Sequence, residues 1–283
     1  MRTPDEMRKL ILDFARNEEN IRLVGMEGSR VNRNIPEDTF QDYDITYFVK
    51  DMKQFTEDDG WLALFGPTLM MQKPEDMELF PAVEEGYSYL VLFEDHNKID
   101  FTFLEVDKLP DYLAQDKLRT ILLDKDGRCP EPVLPTDEEY WIQKPSPRSF
   151  DDCCNEFWSL TPYVVKGLCR KEILFSIDHL GLLRDELLRM LSWKVGLEYG
   201  FTFSVGKNYK FIRKYLPEKT WDALLATYKN DSYENMWKSL LLCHSLFREA
   251  AGTCAERFGY IYPDYDRKVS GYVAYYYARF AGV

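Results

Sequence analysis

Short apolar runs separated by polar turns fill the first half of the chain, and a helical period replaces them in the second. Residues 4–17 place Met7, Leu10, Ile11 and Phe14 on one side, which predicts an amphipathic helix. Strands are expected over 21–26, 43–49, 87–93, 98–104 and 120–123, with a polar, helical region around 50–80. The turn-rich link Glu94-Asp95-His96-Asn97 makes the third and fourth of these strands a hairpin. Prolines at 130, 132, 135, 145 and 147 forbid a regular element and read as an extended linker. Beyond it, helices are expected near 150–160, 164–195, 207–214, 218–229, 232–258 and 265–280, with Gly167, Gly181 and Gly196 as possible breaks in the longest. The fold class is therefore α+β. A mixed sheet with flanking helices occupies 1–135, and an all-α helical bundle occupies 136–283.

Against this pattern one strand carries residues it should not. Asp42 and Asp44 stand at the head of Ile45-Thr46-Tyr47-Phe48-Val49, although Asp is depleted in strands. Residues two apart on a strand face the same way, so the two carboxylates converge. Like charges at close quarters raise each other's pKa unless a cation lies between them, and a hard divalent metal such as Mg²⁺ is the natural occupant. Upstream, Gly28-Ser29 follows an apolar strand. Glycine permits close approach of a phosphate, and exposed N–H groups with a hydroxyl can cradle its oxygens. Downstream, Asp100 lies between Ile99 and Phe101, so alternation puts it with Thr102 on the polar face. Each feature alone is a turn or a solvated acid; the three in this order form a constellation.

Composition narrows the partners. The formal charge of −12 argues against nucleic acid and is compatible with a cationic small molecule. No run approaches the roughly 18 apolar residues of a membrane span, and the charged N-terminus lacks a signal-peptide core. Six cysteines without C-x-x-C or zinc spacing read as reduced thiols, so a cytoplasmic protein is expected. There is no P-loop. The segment from Leu122 fails as an EF-hand, because Leu122 and Val133 stand at its first and twelfth ligand positions. The three histidines are scattered.

The order of motifs resembles the nucleotidyltransferase superfamily, with its h-G-G/S turn, D/E-h-D/E strand and later h-D/E-h strand. The strings EGSR, FQDYDITYFV, MMQKPEDMELFP, KID, DDCCNEFW, TPYVVKGLCRKEILF, ELLRMLSWKVG, SVGKNYKFI and DSYENMW resemble the aminoglycoside 6-adenylyltransferases, over roughly residues 1–270. The resemblance implies transfer of AMP from ATP to the 6-hydroxyl of streptomycin with release of pyrophosphate. It also implies a monomer or weak homodimer binding ATP and a cationic aminoglycoside. Asp42, Asp44 and Asp100 would form the metal set, with Asp100 also the general base. Gly28, Ser29 and Arg30 would bind the triphosphate, joined from the helical half by Arg189, Lys207 and Tyr209. Glu156 and Asp178, acids in otherwise apolar helical stretches, would meet the drug's guanidinium groups, although helix capping or an internal salt bridge explains each as well; Trp158 could stack on the drug, but core packing is the better reading. Two other readings stay open: a different acceptor, either another small antibiotic or a protein hydroxyl, and a non-catalytic nucleotide-binding module.

Overall fold

The computed structural model describes residues 1–82, 85–129 and 131–281, and Pro130 of the expected linker lies outside them. The chain divides into two compact units, Met1–Glu139 and Tyr140–Val283.

The first unit is a six-stranded mixed sheet. It comprises β1 (Ile21–Glu27), β2 (Tyr43–Val49), β3 (Thr68–Gln72), β4 (Tyr87–Phe93), β5 (Lys98–Glu105) and β6 (Arg119–Asp124), in the order β3-β4-β5-β2-β1-β6. Only β2 and β5 run parallel; the other pairs are antiparallel. The expected hairpin is β4–β5, and His96 takes a left-handed conformation in its turn. Around 50–80 the expectation of helix fails in part. A single turn α2 (Lys53–Thr56) and a 3₁₀ stretch at Gly60–Phe65 precede β3, an edge strand. Its residues are mostly exposed, so it shows no apolar alternation to read.

Helix α1 (Pro4–Asn17) starts at a capping box, in which the Thr3 hydroxyl accepts from the Glu6 amide and the Glu6 carboxylate accepts from the Thr3 amide. It buries Met7, Ile11 and Phe14 against Tyr47, Phe101 and Phe103 on one sheet face. The opposite face carries a smaller cluster of Leu23, Phe48, Leu109 and Tyr112, the last two from the short helix α3 (Leu109–Ala114). One face is thus sealed by a full aromatic core, while the other is covered only in part and leaves room for polar side chains.

The second unit is all helical: α4 (Pro147–Arg170), α5 (Ile173–Tyr199), α6 (Glu218–Ala226), α7 (Tyr233–Phe258) and α8 (Tyr265–Phe280). Three expectations change here. Helix α4 does not end at 160 but runs through Pro162 to Arg170. The break comes at Lys171, in the left-handed region. Gly167 is a packing device: a Cβ there would lie 2.3 Å from Ser176 Oγ of α5. The expected helix at 207–214 resolves into two 3₁₀ turns, 207–209 and 212–214, with Asn208 and Tyr209 at positive φ. All six cysteines are free, and Cys153, Cys154, Cys243 and Cys254 are buried in the helical core or against it. No helix among the described residues is long and apolar enough to cross a membrane.

At the centre of this unit His244 of α7 is 3% exposed, exchanges a hydrogen bond with Thr161 Oγ1 at 3.0 Å and lies against Trp158. Burial first, then the Arg248 charge, lowers its pKa to about 3, against Asp266, which raises it. The folded state therefore holds the ring neutral, whereas the unfolded chain protonates near pH 6.5. Its contribution to stability is full above that pH and declines as pH falls towards 3. The expected slope is about 1.4 kcal/mol per pH unit below roughly pH 6. Urea denaturation of His244→Gln should lack this component of the slope between pH 4 and 6 when compared with the wild type.

Candidate active site

Three strand ends converge on one edge of the partly covered sheet face: the end of β1 and the starts of β2 and β5. In the parallel β2–β5 ladder Asp44 is the direct partner of Asp100, with Thr46 opposite Thr102 in the next pair on that face. Asp42 immediately precedes β2. One carboxylate oxygen from each of Asp42, Asp44 and Asp100 lies within 4.8 Å of the others. The alternation that buries Tyr43, Ile45, Ile99 and Phe101 in the core turns these acids to the other face. The register therefore makes the cluster, because a slip of one residue on either strand would turn its acids into the aromatic core.

Gly28 leaves β1 with φ +73°, and a Cβ there would fall 2.2 Å from Asp44 Oδ2. Any side chain at this position would occupy the space the Asp44 carboxylate uses. A 3₁₀ turn, Gly28–Val31, then leads into the 32–42 loop. Arg30 braces that loop and stacks 3.6 Å above the Tyr43 ring. Its guanidinium donates to the carbonyls of Asp42 (Nε, 3.0 Å) and Gln41, while Gln41 donates back to the Ser29 carbonyl. At the other end of the loop, the amides of Asn32 and Asn34 donate to buried Asp137. Arg30 was expected at the phosphates; here its guanidinium serves to fix the main chain at Asp42.

The electrostatics reflect the crowding. Burial, then Asp42, Asp100 and Glu27, push the Asp44 carboxyl up to about 7. Glu27, the β1 partner of Asp44, accepts from Thr46 Oγ1 at 2.7 Å. Burial also raises Asp100, against the opposing pull of Lys98. The Lys98 ammonium sits 2.6 Å from Asp100 Oδ1 and 3.2 Å from Asp42 Oδ2. Hard oxygen donors this close, with one carboxyl pushed up by burial and by its acidic neighbours, suit a divalent cation of the Mg²⁺ type. Sequence reasoning missed Lys98 and Glu27. Both carried a signal: Lys98 is two residues from Asp100, hence on the same face, and Glu27 ends the strand that enters the Gly-Ser turn.

In the helical unit, Arg189 is half-exposed and ion-paired to Glu186 at 3.0 Å. Tyr209 lies close enough to feel both charges and is partly buried against the core. Lys207 is exposed. Glu156 and Asp178 are also exposed, so the cost of burying a charge, which singled them out, does not apply. Both face solvent on helices that bury their apolar neighbours. Trp158 is 1% exposed and packs on Phe157 and Phe247, so it belongs to the core and cannot stack broadly on a ligand. It contributes one wall of a cavity of about 600 Å³ between α4 and α8, where Asn155, Tyr163, Lys166 and Tyr272 also face. None of the residues lining that cavity is acidic.

The family model for streptomycin adenylyltransferase matches residues 1–276. The chain belongs to the streptomycin adenylyltransferase family. An aminoglycoside 6-adenylyltransferase of Campylobacter jejuni is 56% identical over 96% of this chain and 95% of its own length. Those of Bacillus subtilis and Staphylococcus aureus are 53% and 46% identical, each over 96% of this chain and at least 97% of their own. The crystal structure of an aminoglycoside 6-adenyltransferase from Bacillus subtilis, 47% identical, covers 98% of this chain and 99% of its own with a TM-score of 0.49.

For this family member Gly28 is the glycine whose demand falls on the carboxylate cluster itself. Gly28→Ala combines a strained φ with a contact on Asp44, and is expected to cost about 1–3 kcal/mol of stability. It should also lower Mn²⁺ affinity, whereas Gly127→Ala, with nothing within 4 Å of its Cβ, should show the backbone penalty alone. Thermal melts with and without Mn²⁺ separate the two effects.

Proposed function

We propose that this chain transfers AMP from ATP to the 6-hydroxyl of streptomycin, with Mg²⁺, releasing pyrophosphate. Membership of the family makes it an aminoglycoside nucleotidyltransferase; the acceptor, the metal and the nucleotide are the proposal. The observation that carries it is the meeting of Asp42 with the in-register pair Asp44 and Asp100, beside a Gly-Ser turn whose glycine has no room for a side chain.

In this reading Asp42 and Asp44 hold the ion, and the Asp100 carboxylate is close enough to join them. Bound there, Mg²⁺ supplies positive charge against the charge that develops on the phosphates. Gly28 lets the triphosphate approach the backbone, and the Ser29 hydroxyl donates to a phosphate oxygen. Asp100 takes the proton of the acceptor hydroxyl as its oxygen attacks the α-phosphorus and the bond to pyrophosphate breaks. Holding nucleotide and acceptor in line supplies the larger part of the acceleration. The resemblance offers Arg189 and Lys207 as the helical unit's cations for phosphate; Arg189 is ion-paired to Glu186. Streptomycin, a polycation, is served by the −12 charge and by exposed acids such as Glu156 and Asp178 rather than by the α4–α8 cavity, which offers a lysine and no carboxylate.

A cytoplasmic location fits six free thiols. The protein is expected to work as a monomer or weak homodimer without nucleic acid.

Incubation with α-labelled ATP, Mg²⁺ and streptomycin should give labelled drug and pyrophosphate; folded protein that labels no drug overturns the reading. Asp100→Asn should lower turnover by roughly 10³-fold or more while Mn²⁺ affinity falls by no more than about tenfold, the effect of one lost charge nearby and the signature of a base. Equal loss of Mn²⁺ binding would instead make Asp100 a ligand.

A further inference from the structure

We propose that Lys98 gates the carboxylate site: its ammonium holds Asp42 and Asp100 together until a divalent cation displaces it. The inference rests on the metal-site reading above and goes beyond it.

The geometry is specific. Lys98 Nζ donates to both oxygens of Asp100, at 2.6 and 2.5 Å, and to Asp42 Oδ2 at 3.2 Å. An ammonium has three donors and no acceptor, so these contacts account for all of its hydrogens. In this arrangement Asp100 has its proton-accepting and metal-binding oxygens engaged by Lys98. It can neither ligate an ion freely nor take a proton from a hydroxyl until Lys98 moves. No other carboxylate pairs with Lys98 among the described residues.

Charge and mobility explain why Lys98 is both needed and removable. The three carboxyl groups, with oxygens within 4.8 Å of one another, repel strongly as they ionise, and a single internal cation offsets one unit of that negative charge. Lys98 is 40% exposed on a flexible four-carbon stem, so withdrawal into solvent is open to it. An ammonium and a divalent ion cannot both sit on Asp42 and Asp100 without repelling each other. Metal entry therefore expels the lysine. It stays tethered two residues from Asp100 on the same strand face.

The competition has a measurable sign. Removing Lys98 takes away the internal cation and frees the oxygens it holds, so Lys98→Met should bind Mn²⁺ roughly tenfold more tightly than wild type in the absence of nucleotide, by electron paramagnetic resonance or calorimetric titration. The metal-free variant should melt below the wild type, and saturating Mn²⁺ should close that gap. Lys98→Arg, which keeps the charge, should retain near-wild-type Mn²⁺ affinity. In wild-type protein, Mg²⁺ titration should shift the Lys98 side-chain NMR signal from its ion-paired to its free position, a readout independent of any variant's folding. An unchanged or weaker Mn²⁺ affinity in Lys98→Met, or a Lys98 signal indifferent to Mg²⁺, overturns the gate. Wild-type protein that binds no Mn²⁺ even with ATP would bring down the metal-site reading itself, a distinct result.

Discussion

The parallel pairing of β2 with β5 is the constraint on which the site depends. It is the one parallel ladder in the sheet, and its register sets Asp44 opposite Asp100. Because side chains alternate, the register that crowds the acids on one face also delivers Tyr43, Ile45, Tyr47, Ile99, Phe101 and Phe103 to the other. Aromatic packing there includes Phe55 on Phe103 at 4.7 Å and Phe65 against Phe101 at 4.9 Å. Such contacts are worth about 0.5–1.5 kcal/mol each beyond the area they bury. They stabilise a register that the carboxylates, taken alone, would reject.

The surroundings divide the work of tolerating that charge. Gly28 gives Asp44 space, Arg30 fixes the main chain at Asp42, and Lys98 pairs with Asp42 and Asp100. Glu27 works the other way, adding a fourth acid nearby. A structural role alone would favour apolar residues here, since replacing buried charge with packed apolar groups is often neutral or stabilising. The crowding is instead what the cation site proposed above would require.

Much of this was legible along the chain, for reasons that also mark the limits. Strands of the first unit could be read where one face is buried, as in Lys98–Glu105, where Ile99, Phe101 and Phe103 alternate with polar residues. β3 could not, because an exposed edge carries no such alternation. The acids of the site stood out because carboxylates at the head of an apolar strand break the pattern. Lys98 did not, since a lysine at a strand start looks like any solvated residue until the neighbouring strand is placed. In the helical unit, Glu156 and Asp178 lay amid apolar residues in sequence, but period 3.6 turns them to solvent. The end of α4 at Lys171 was hidden because its left-handed cap is not a glycine.

The short distance between Lys98 and Asp100 also bears on how the sheet forms. Asp42 and Lys98 are 56 residues apart in sequence, so β2 and β5 meet only after a long loop closes, a slow kind of contact. At that moment the arriving strand brings a negative charge to a site that already holds two. It brings its own positive charge in the same step, two residues ahead. The counter-ion thus comes built into the strand that creates the need for it, and the sheet can close without waiting for a metal.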